Sequence, residues 1–499
     1  MKLTRLLCLM LSLVFVLVCF AACGGGDNTP VNSGTGAKDE TGALDNPTHD
    51  ANGFELDSLP ELDFDNQQVH ILTWFASFDE FCVSEEEASG VIAEAQYAQI
   101  LRVEDRLNID ITFTQLAGRE DDKENYLTDM ETSNLSGKPY DIVSAYSCTG
   151  ALAAMRGMLR NLSKVNYINF DKPWWPADLQ NSVAINGNLY FASGDISPNL
   201  IYGLFSIITN MDLWEKYYGT EYGSNYLYEL VDEKEWTLDA LLEFSKGLYV
   251  DINNNGKDDS DQFGFVFANE VSIDPFLQGS GIDITTINSS GKIVMADSFF
   301  SQQMSNVVDK LTAFYREDYV TVPKTYGGIF PEGRSLFIVI PISLCVSRLA
   351  ATEMSYAALP MPLYDENQKD YVTTMNHNFS MFGILTNVDA EKTDCAAATL
   401  EALASEAYRT VSPAIFEQGF RLRYSANSDV SRMFAYIRDS LKFDMGRLYR
   451  LNFSTQPTDM FRKSIRDNFS WGSIASNKTL WNKTLTKISE AILALAENQ

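Results

Sequence analysis

Hydrophobic positions set a rhythm from residue 69 onward. Val69-His70-Ile71-Leu72-Thr73-Trp74-Phe75 puts β-branched and aromatic residues on both faces of an extended segment, the pattern of a strand buried on both sides. Ala93, Tyr97, Ile100, Val103 and Leu107 then recur at three- and four-residue spacing, which predicts one apolar stripe of an amphipathic helix. Residues 109–114 predict a second strand and 141–146 a third. Such β-α-β units imply a parallel sheet with helices on its faces. The second half follows the same grammar without repeating the sequence. Strands are predicted at 204–209, 263–267 and 336–342, and helical stripes at Met304, Val307, Val308, Leu311, Phe314 and Tyr315 and at Trp481, Leu485, Ile488, Ile492 and Leu495. The strand ends of two such sheets would face a crevice, where ligands of open α/β sheets bind.

The N-terminus is different in kind. Lys2 and Arg5 precede an apolar run ending at Ala22, too short to be read first as a membrane span, so residues 1–22 are expected to be an export signal. Its end, Phe20-Ala21-Ala22-Cys23, resembles the lipobox of bacterial lipoproteins, in which that cysteine is diacylated and becomes the mature N-terminus; Phe20 stands where leucine is usual. Residues 23–60 are assigned to a tether, since the stretch from Gly24 to about Asn52 carries almost no large apolar side chains with which to offset chain-ordering entropy. No later segment is long and apolar enough to span a bilayer, which leaves Cys23 as the expected membrane connection.

Charge and cysteines exclude more than they specify. The formal charge is −29, and loss of Lys2 and Arg5 with the leader makes it more negative; such a surface repels nucleic acid and anionic headgroups. Beyond the leader and Cys23 there remain Cys82, Cys148, Cys345 and Cys395, widely spaced and without a C-x-x-C pair, so neither a zinc site nor a disulfide framework is indicated.

One motif points to a metal. In residues 251–259, Asp251, Asn253, Asn255 and Asp259 place side-chain oxygens at relative positions one, three, five and nine, Gly256 falls at the sharp turn, and Lys257 offers its carbonyl at seven. A hard cation needs this many oxygens on one tight loop, so Ca2+ in a structural role is the expectation. Gln262 stands where an EF-hand has a bidentate Glu, and a strand follows in place of the second helix, so the loop is only EF-hand-like. An Asn/Asp-rich turn without metal is the alternative. Catalytic patterns are absent: only His49, His70 and His377 exist, and there is no G-x-S-x-G, H-E-x-x-H or Walker motif. No catalytic residue is assigned. Aromatic side chains are instead the expected ligand handles, because pyranose rings pack on flat apolar faces. Trp74 and Tyr146 end the first and third predicted strands, Trp174 and Trp175 lie in a stiff Pro-Trp-Trp-Pro segment, and Trp471 sits in a polar stretch. Trp214 and Trp236, within helical patterns, are expected in the core.

Several segments in order resemble family 1 extracellular solute-binding proteins, the carbohydrate-binding components of ABC transporters. They are Asp171-Lys172-Pro173-Trp174-Trp175, Ile185-Asn186-Gly187-Asn188-Leu189-Tyr190, Thr209-Asn210-Met211-Asp212-Leu213, Glu235-Trp236-Thr237-Leu238-Asp239, Phe330-Pro331-Glu332-Gly333-Arg334-Ser335-Leu336-Phe337 and Leu359-Pro360-Met361-Pro362. The resemblance implies a two-lobed α/β fold of the type II periplasmic-binding-protein kind with a ligand cleft between the lobes. It places crossings near 192–197, 360–371 and 410–413, with 61–197 and 363–411 forming the first lobe and 198–362 and 412–499 the second. It implies a monomer that captures a carbohydrate, delivers it to membrane permease subunits and catalyses nothing. A glycan-binding sensor or adhesion lipoprotein, and a glycan-processing enzyme, stay open as alternatives.

Overall fold

Two separate sheets hold most of the strands in the computed structural model, which describes residues 48–136, 140–420 and 428–496. The export signal, Cys23 and the tether as far as residue 47 lie outside the described residues. In chain order the strands are β1 (Gln67–Trp74), β2 (Ile109–Leu116), β3 (Ile142–Tyr146), β4 (Phe205–Asn210), β5 (Phe263–Phe267), β6 (Thr285–Ile287), β7 (Ile293–Met295), β8 (Val320–Thr321), β9 (Ser335–Pro341), β10 (Tyr356–Leu359) and β11 (Ser380–Ile384). The first sheet has the order β11-β3-β1-β2 and the second β10-β4-β9-β5-β8, while β6 and β7 form a small hairpin.

The first sheet begins as the hydrophobic pattern predicts. The helix Val91–Leu107 buries Ile100, Val103 and Leu107, and ends at Asn108, whose φ of 50° is the left-handed conformation that closes a helix and turns the chain directly into β2. β2 then lies parallel to β1 from Gln67 opposite Ile109 to Trp74 opposite Leu116, and β3 lies parallel to β1 on its other side. Phe75, expected inside the strand, lies beyond its end and is exposed.

Neither sheet is wholly parallel, contrary to the β-α-β expectation. β11 is antiparallel to β3, and β4 is antiparallel to both β9 and β10. The reason is topological. Parallel neighbours need a crossover that returns the chain to the same end of its own sheet, whereas β4 and β11 each receive the chain from the other sheet. They therefore run away from the crevice at which β1, β5 and β9 end.

Side-chain caps define the helices between these strands. Asn210 accepts from the backbone N–H of Leu213, Thr237 from Ala240, Ser301 from Met304 and Asp389 from Lys392, each satisfying a donor that the first helical turn leaves open. The predicted stripes are buried from Met304 to Phe314 on Gln302–Phe314 and from Trp481 to Ile492 on Lys478–Ala496, while their last members, Tyr315 just past the first helix and Leu495 in the second, are half-buried. The second helix packs on the β6–β7 hairpin, where Ser489 and Asn482 accept from the backbone of Ile293 and Met295. Trp214 and Trp236 are fully buried, with indole N–H groups donating to the carbonyls of Gly223 and Pro360.

Residues 48–60, assigned to the tether by composition, pack against the body. His49 bridges to Glu55, Phe54 meets the Tyr408 ring edge-on, Lys172 pairs with Glu55, and Arg106 makes two bonds to Asp57 at 2.5 and 2.6 Å. Charged partners contributed from far along the chain hold this polar stretch in place, and local composition does not reveal them.

Candidate functional site

The segments that follow β1, β5 and β9 converge with two of the chain segments passing between the sheets. A cavity of about 380 Å3 opens at this junction. Ser77 and Phe78 come from the β1 side, Val271 and Ser272 from beyond β5, Ser343 from beyond β9, and Asn199, Tyr202, Asn376 and Asn378 from the crossing segments, with Tyr326 at the rim. Among the described residues its lining carries no charged side chain. Amide and hydroxyl groups mixed with aromatic rings can meet a neutral polyhydroxylated ligand on both its polar edges and its apolar faces.

Local bonds hold the wall in shape. The Asn199 amide grips Phe78 through its backbone, accepting from the Phe78 N–H at 3.2 Å and donating to its carbonyl at 2.7 Å. This seats the Phe78 ring against Tyr202, with centroids 4.3 Å apart. Gly203 is needed beside them, since a Cβ there would stand 3.0 Å from the Asn199 carbonyl oxygen and 2.9 Å from Asn376 Oδ1. Tyr326, also on the lining, is 42% exposed.

Trp74 and Tyr146 are brought together but do not line this cavity; Trp74 borders a separate one of about 260 Å3 with Glu80, Phe81 and Phe113. Their rings meet at 5.1 Å with an interplanar angle of 61°, and both are buried. The Trp74 indole donates to Ser380 Oγ at 2.8 Å, and the Arg119 guanidinium lies 5.4 Å from its ring centroid while donating to Ser77 Oγ. The Tyr146 hydroxyl donates to Glu120, which is paired with Arg450. Trp174 and Trp175 lie elsewhere, both buried. The Trp175 indole donates to Glu401, whose carboxyl burial pushes up to about 7, and Trp175 borders a separate cavity of about 360 Å3 with Pro173, Leu200, Ile201 and Arg438. Trp471 is half-buried against Phe299.

The lining residues Phe78, Asn199, Tyr202, Tyr326, Asn376 and Asn378 carry no pattern that singles them out. The available signal is position: Asn199 and Tyr202 directly follow the expected first crossing, and Phe78 follows the end of β1.

A Cys–His pair occurs near the junction, with the buried Cys148 Sγ 4.0 Å from Nδ1 of the half-buried His377. Burial pushes the thiol up to about 12, while burial and then Arg447 and Arg462 hold the imidazole well below its ordinary value. Neither group supplies a thiolate or an imidazolium near neutrality, so the pair does not form an activated nucleophile.

In the loop of residues 251–259, Asp251 Oδ2 accepts from the Gly256 N–H and Asn253 Oδ1 from that of Asn255, and Gly256 adopts a φ of 94°. Asp251 Oδ1 is buried without a hydrogen-bond partner. Among the described residues no three His, Cys, Asp or Glu side chains gather as a metal site, so a cation here would depend on amide and carbonyl oxygens as well. Asp251 Oδ1 is the oxygen such a cation could take without displacing a bond, whereas Asp259 Oδ2 already accepts from the Lys324 N–H.

Two mixed sheets, joined by segments that cross between them and flank a cavity at the strand ends, define the two-lobed solute-binding protein fold. Solved structures share it. A cyclo/maltodextrin-binding protein complexed with maltotetraose superposes with a TM-score of 0.53 at 12% identity, covering 86% of this chain and 97% of that one. UspC of M. tuberculosis gives 0.52 at 14% identity over 84% and 100% of the two chains, and a family 1 extracellular solute-binding protein from Bifidobacterium longum subsp. infantis gives 0.50 at 14% over 85% and 98%. No protein-family model and no curated protein matches the sequence.

The burial of Trp74 predicts a structural cost. Trp74→Ala should lower the free energy of unfolding by about 3–5 kcal/mol, and Trp74→Phe, which keeps most of the packing but loses the bond to Ser380, by about 1–2 kcal/mol. Urea unfolding of the two variants measures both.

Proposed function

We propose that this chain is an extracytoplasmic solute-binding lipoprotein that captures a neutral carbohydrate in the cavity between its sheets and passes it to ABC permease subunits. The observation that carries the reading is the lining itself, with the half-buried Asn376, Asn378 and Ser343 offering donors and acceptors beside Phe78, Tyr202 and Tyr326, and no charged side chain among the described residues. Each hydroxyl of a sugar needs both kinds of partner when it leaves water, and a lining of amides and hydroxyls supplies them without the desolvation cost of a buried ion. Among the described residues this lining holds no carboxylate pair of the kind glycosidic chemistry requires, an acid and a second carboxylate flanking the bond, which favours binding. The solved structures with TM-scores of 0.50 and above include proteins described as maltodextrin-binding and as solute-binding, which agrees with this reading.

In this proposal Cys23 is the lipidated residue and the only attachment to the membrane, and the body acts as a monomer. Among the described residues no helix is long and apolar enough to cross a membrane. The loop around Asp251, Asn253, Asn255, Lys257 and Asp259 would hold a structural Ca2+ away from the ligand cavity. Trp74 and Tyr146, packed on each other away from the lining, would act mainly through stability, so that their truncation alters stability together with affinity.

Three outcomes follow. A panel of neutral oligosaccharides should contain members that raise the melting temperature, and Tyr326→Ala should weaken the best of them about tenfold, or about 1.4 kcal/mol, with an unchanged unfolding midpoint. A panel without effect would remove the carbohydrate assignment. Chelation should lower the melting temperature of the Ca2+-loaded protein, and Asp251→Ala should abolish that sensitivity. Cys23→Ser should release the protein or leave an uncleaved precursor, as read by intact mass and membrane fractionation.

A further inference from the structure

Glu80 is buried at the meeting point of three chain segments. Ser380 Oγ, at the start of β11, donates to Glu80 Oε1 at 2.6 Å, and Ser197 Oγ, on the crossing segment before β4, lies 3.0 and 3.1 Å from its two oxygens. Each hydroxyl already accepts from N–H groups: Ser380 Oγ from the Trp74 indole at 2.8 Å, and Ser197 Oγ from the backbone of Ser380 at 3.2 Å and Leu200 at 3.3 Å. With their acceptor sides taken by N–H groups, both hydroxyl protons point at Glu80. The carboxyl is therefore surrounded by donors, an arrangement that suits a carboxylate and leaves a carboxylic acid proton without a proper acceptor.

Glu80 also sits two residues beyond Phe78, the residue whose backbone Asn199 grips and whose ring rests on Tyr202. The bonds from Ser197 to Glu80 and from Asn199 to Phe78 fasten one short segment, residues 77–80, to one crossing segment, residues 197–202. Those two segments form a wall of the cavity described above.

We infer that Glu80 is a positioning residue whose carboxylate form fastens the Phe78–Asn199–Tyr202 wall of the ligand cavity, so that its protonation loosens that wall. The inference rests on the cavity being the ligand site, but the fastening itself is measurable without any ligand.

Burial opposes the hydrogen bonds, and the balance pushes the Glu80 carboxyl up to about 7. The groups facing it are few. Tyr202 feels its charge, Asp79 and Glu87 share with it a small cavity beside Trp74 and Gln115, and Arg119 lies on the Trp74 ring. The sign follows from the raised value. Going up from the ordinary carboxylate range through about pH 7, the unfolded chain is ionised before the folded one, so Glu80 progressively subtracts from folding stability while its carboxylate tightens the wall. Below about pH 7 the folded protein regains that stability and loses the donor-matched network.

The test follows the Trp74 indole N–H, which reaches Glu80 through Ser380, together with the Phe78 amide, in the whole chain labelled uniformly with 15N. In wild type the indole resonance should titrate with a midpoint near pH 7, and the protection factor of the Phe78 amide, corrected for intrinsic exchange, should fall at least severalfold between pH 8 and pH 6. In Glu80→Gln the indole titration should vanish. Should that variant not fold, Ser380→Ala cuts the same relay and should likewise abolish the response. An indole resonance that is flat across this range, or that titrates equally in the variants, would overturn the inference, as would a titration that leaves Phe78 protection unchanged. A failed oligosaccharide panel would leave these readings intact, which separates this idea from the proposed function.

Discussion

The backbone pairing of two crossing segments is the constraint on which the rest of the structure depends. Chain passing between two sheets leaves both ladders for part of its length, and its buried N–H and C=O groups must be satisfied by the other passage or by the first strand that passage enters. Here the two passages satisfy each other. Ala192 and Phe382 exchange both backbone bonds at 2.9 and 2.8 Å, Phe205 donates to Thr374, and Asn376 donates to Gly203. The missing side chain at Gly203 allows the approach. This pairing sets the direction of β4 and β11, and with it the mixed strand order of both sheets. It also brings Asn199, Tyr202, Asn376 and Asn378 to the strand ends, where Asn269 beyond β5 joins them on the lining.

What could be read in the chain beforehand divides along physical lines. The strands at 67–74, 109–116, 142–146 and 263–267 and the helices at 91–107, 302–314 and 478–496 were legible because burial of one stripe or two faces leaves a periodic imprint. β11 left little, since Ser380-Met381-Phe382-Gly383-Ile384 is short and takes its identity from pairing with β3. The tryptophans illustrate the limit of inference from type and position. Trp74 and Tyr146 do end neighbouring strands at the crevice, yet an indole with a hydroxyl acceptor and a phenol with a carboxylate acceptor are also well suited to burial, and no local pattern distinguishes the two uses. The cavity lining belongs to residues whose role arises from convergence of distant segments, which single-sequence periodicity does not encode.

Electrostatics separates the surface from the cavity. The chain carries a formal charge of −29, and several cations are spent internally, as where Arg447 and Arg462 meet the buried Asp274. A neutral cavity inside an anionic body disfavours anionic solutes at long range and asks a neutral one to give up only water. Under the proposed function charge would act as a filter at a distance, and contact at the lining would be left to hydrogen bonds and ring faces.

The grip of Asn199 on Phe78 has a consequence for how such a cavity could diverge. The amide holds the residue only by its backbone N–H and carbonyl, groups that every residue except proline supplies. The side chain at this position is consequently decoupled from the bonds that place it, and exchange of the ring for a smaller or more polar group would reshape the cavity without dismantling its wall. A lineage could explore new solutes at this one site while the scaffold that orients it stays unaltered.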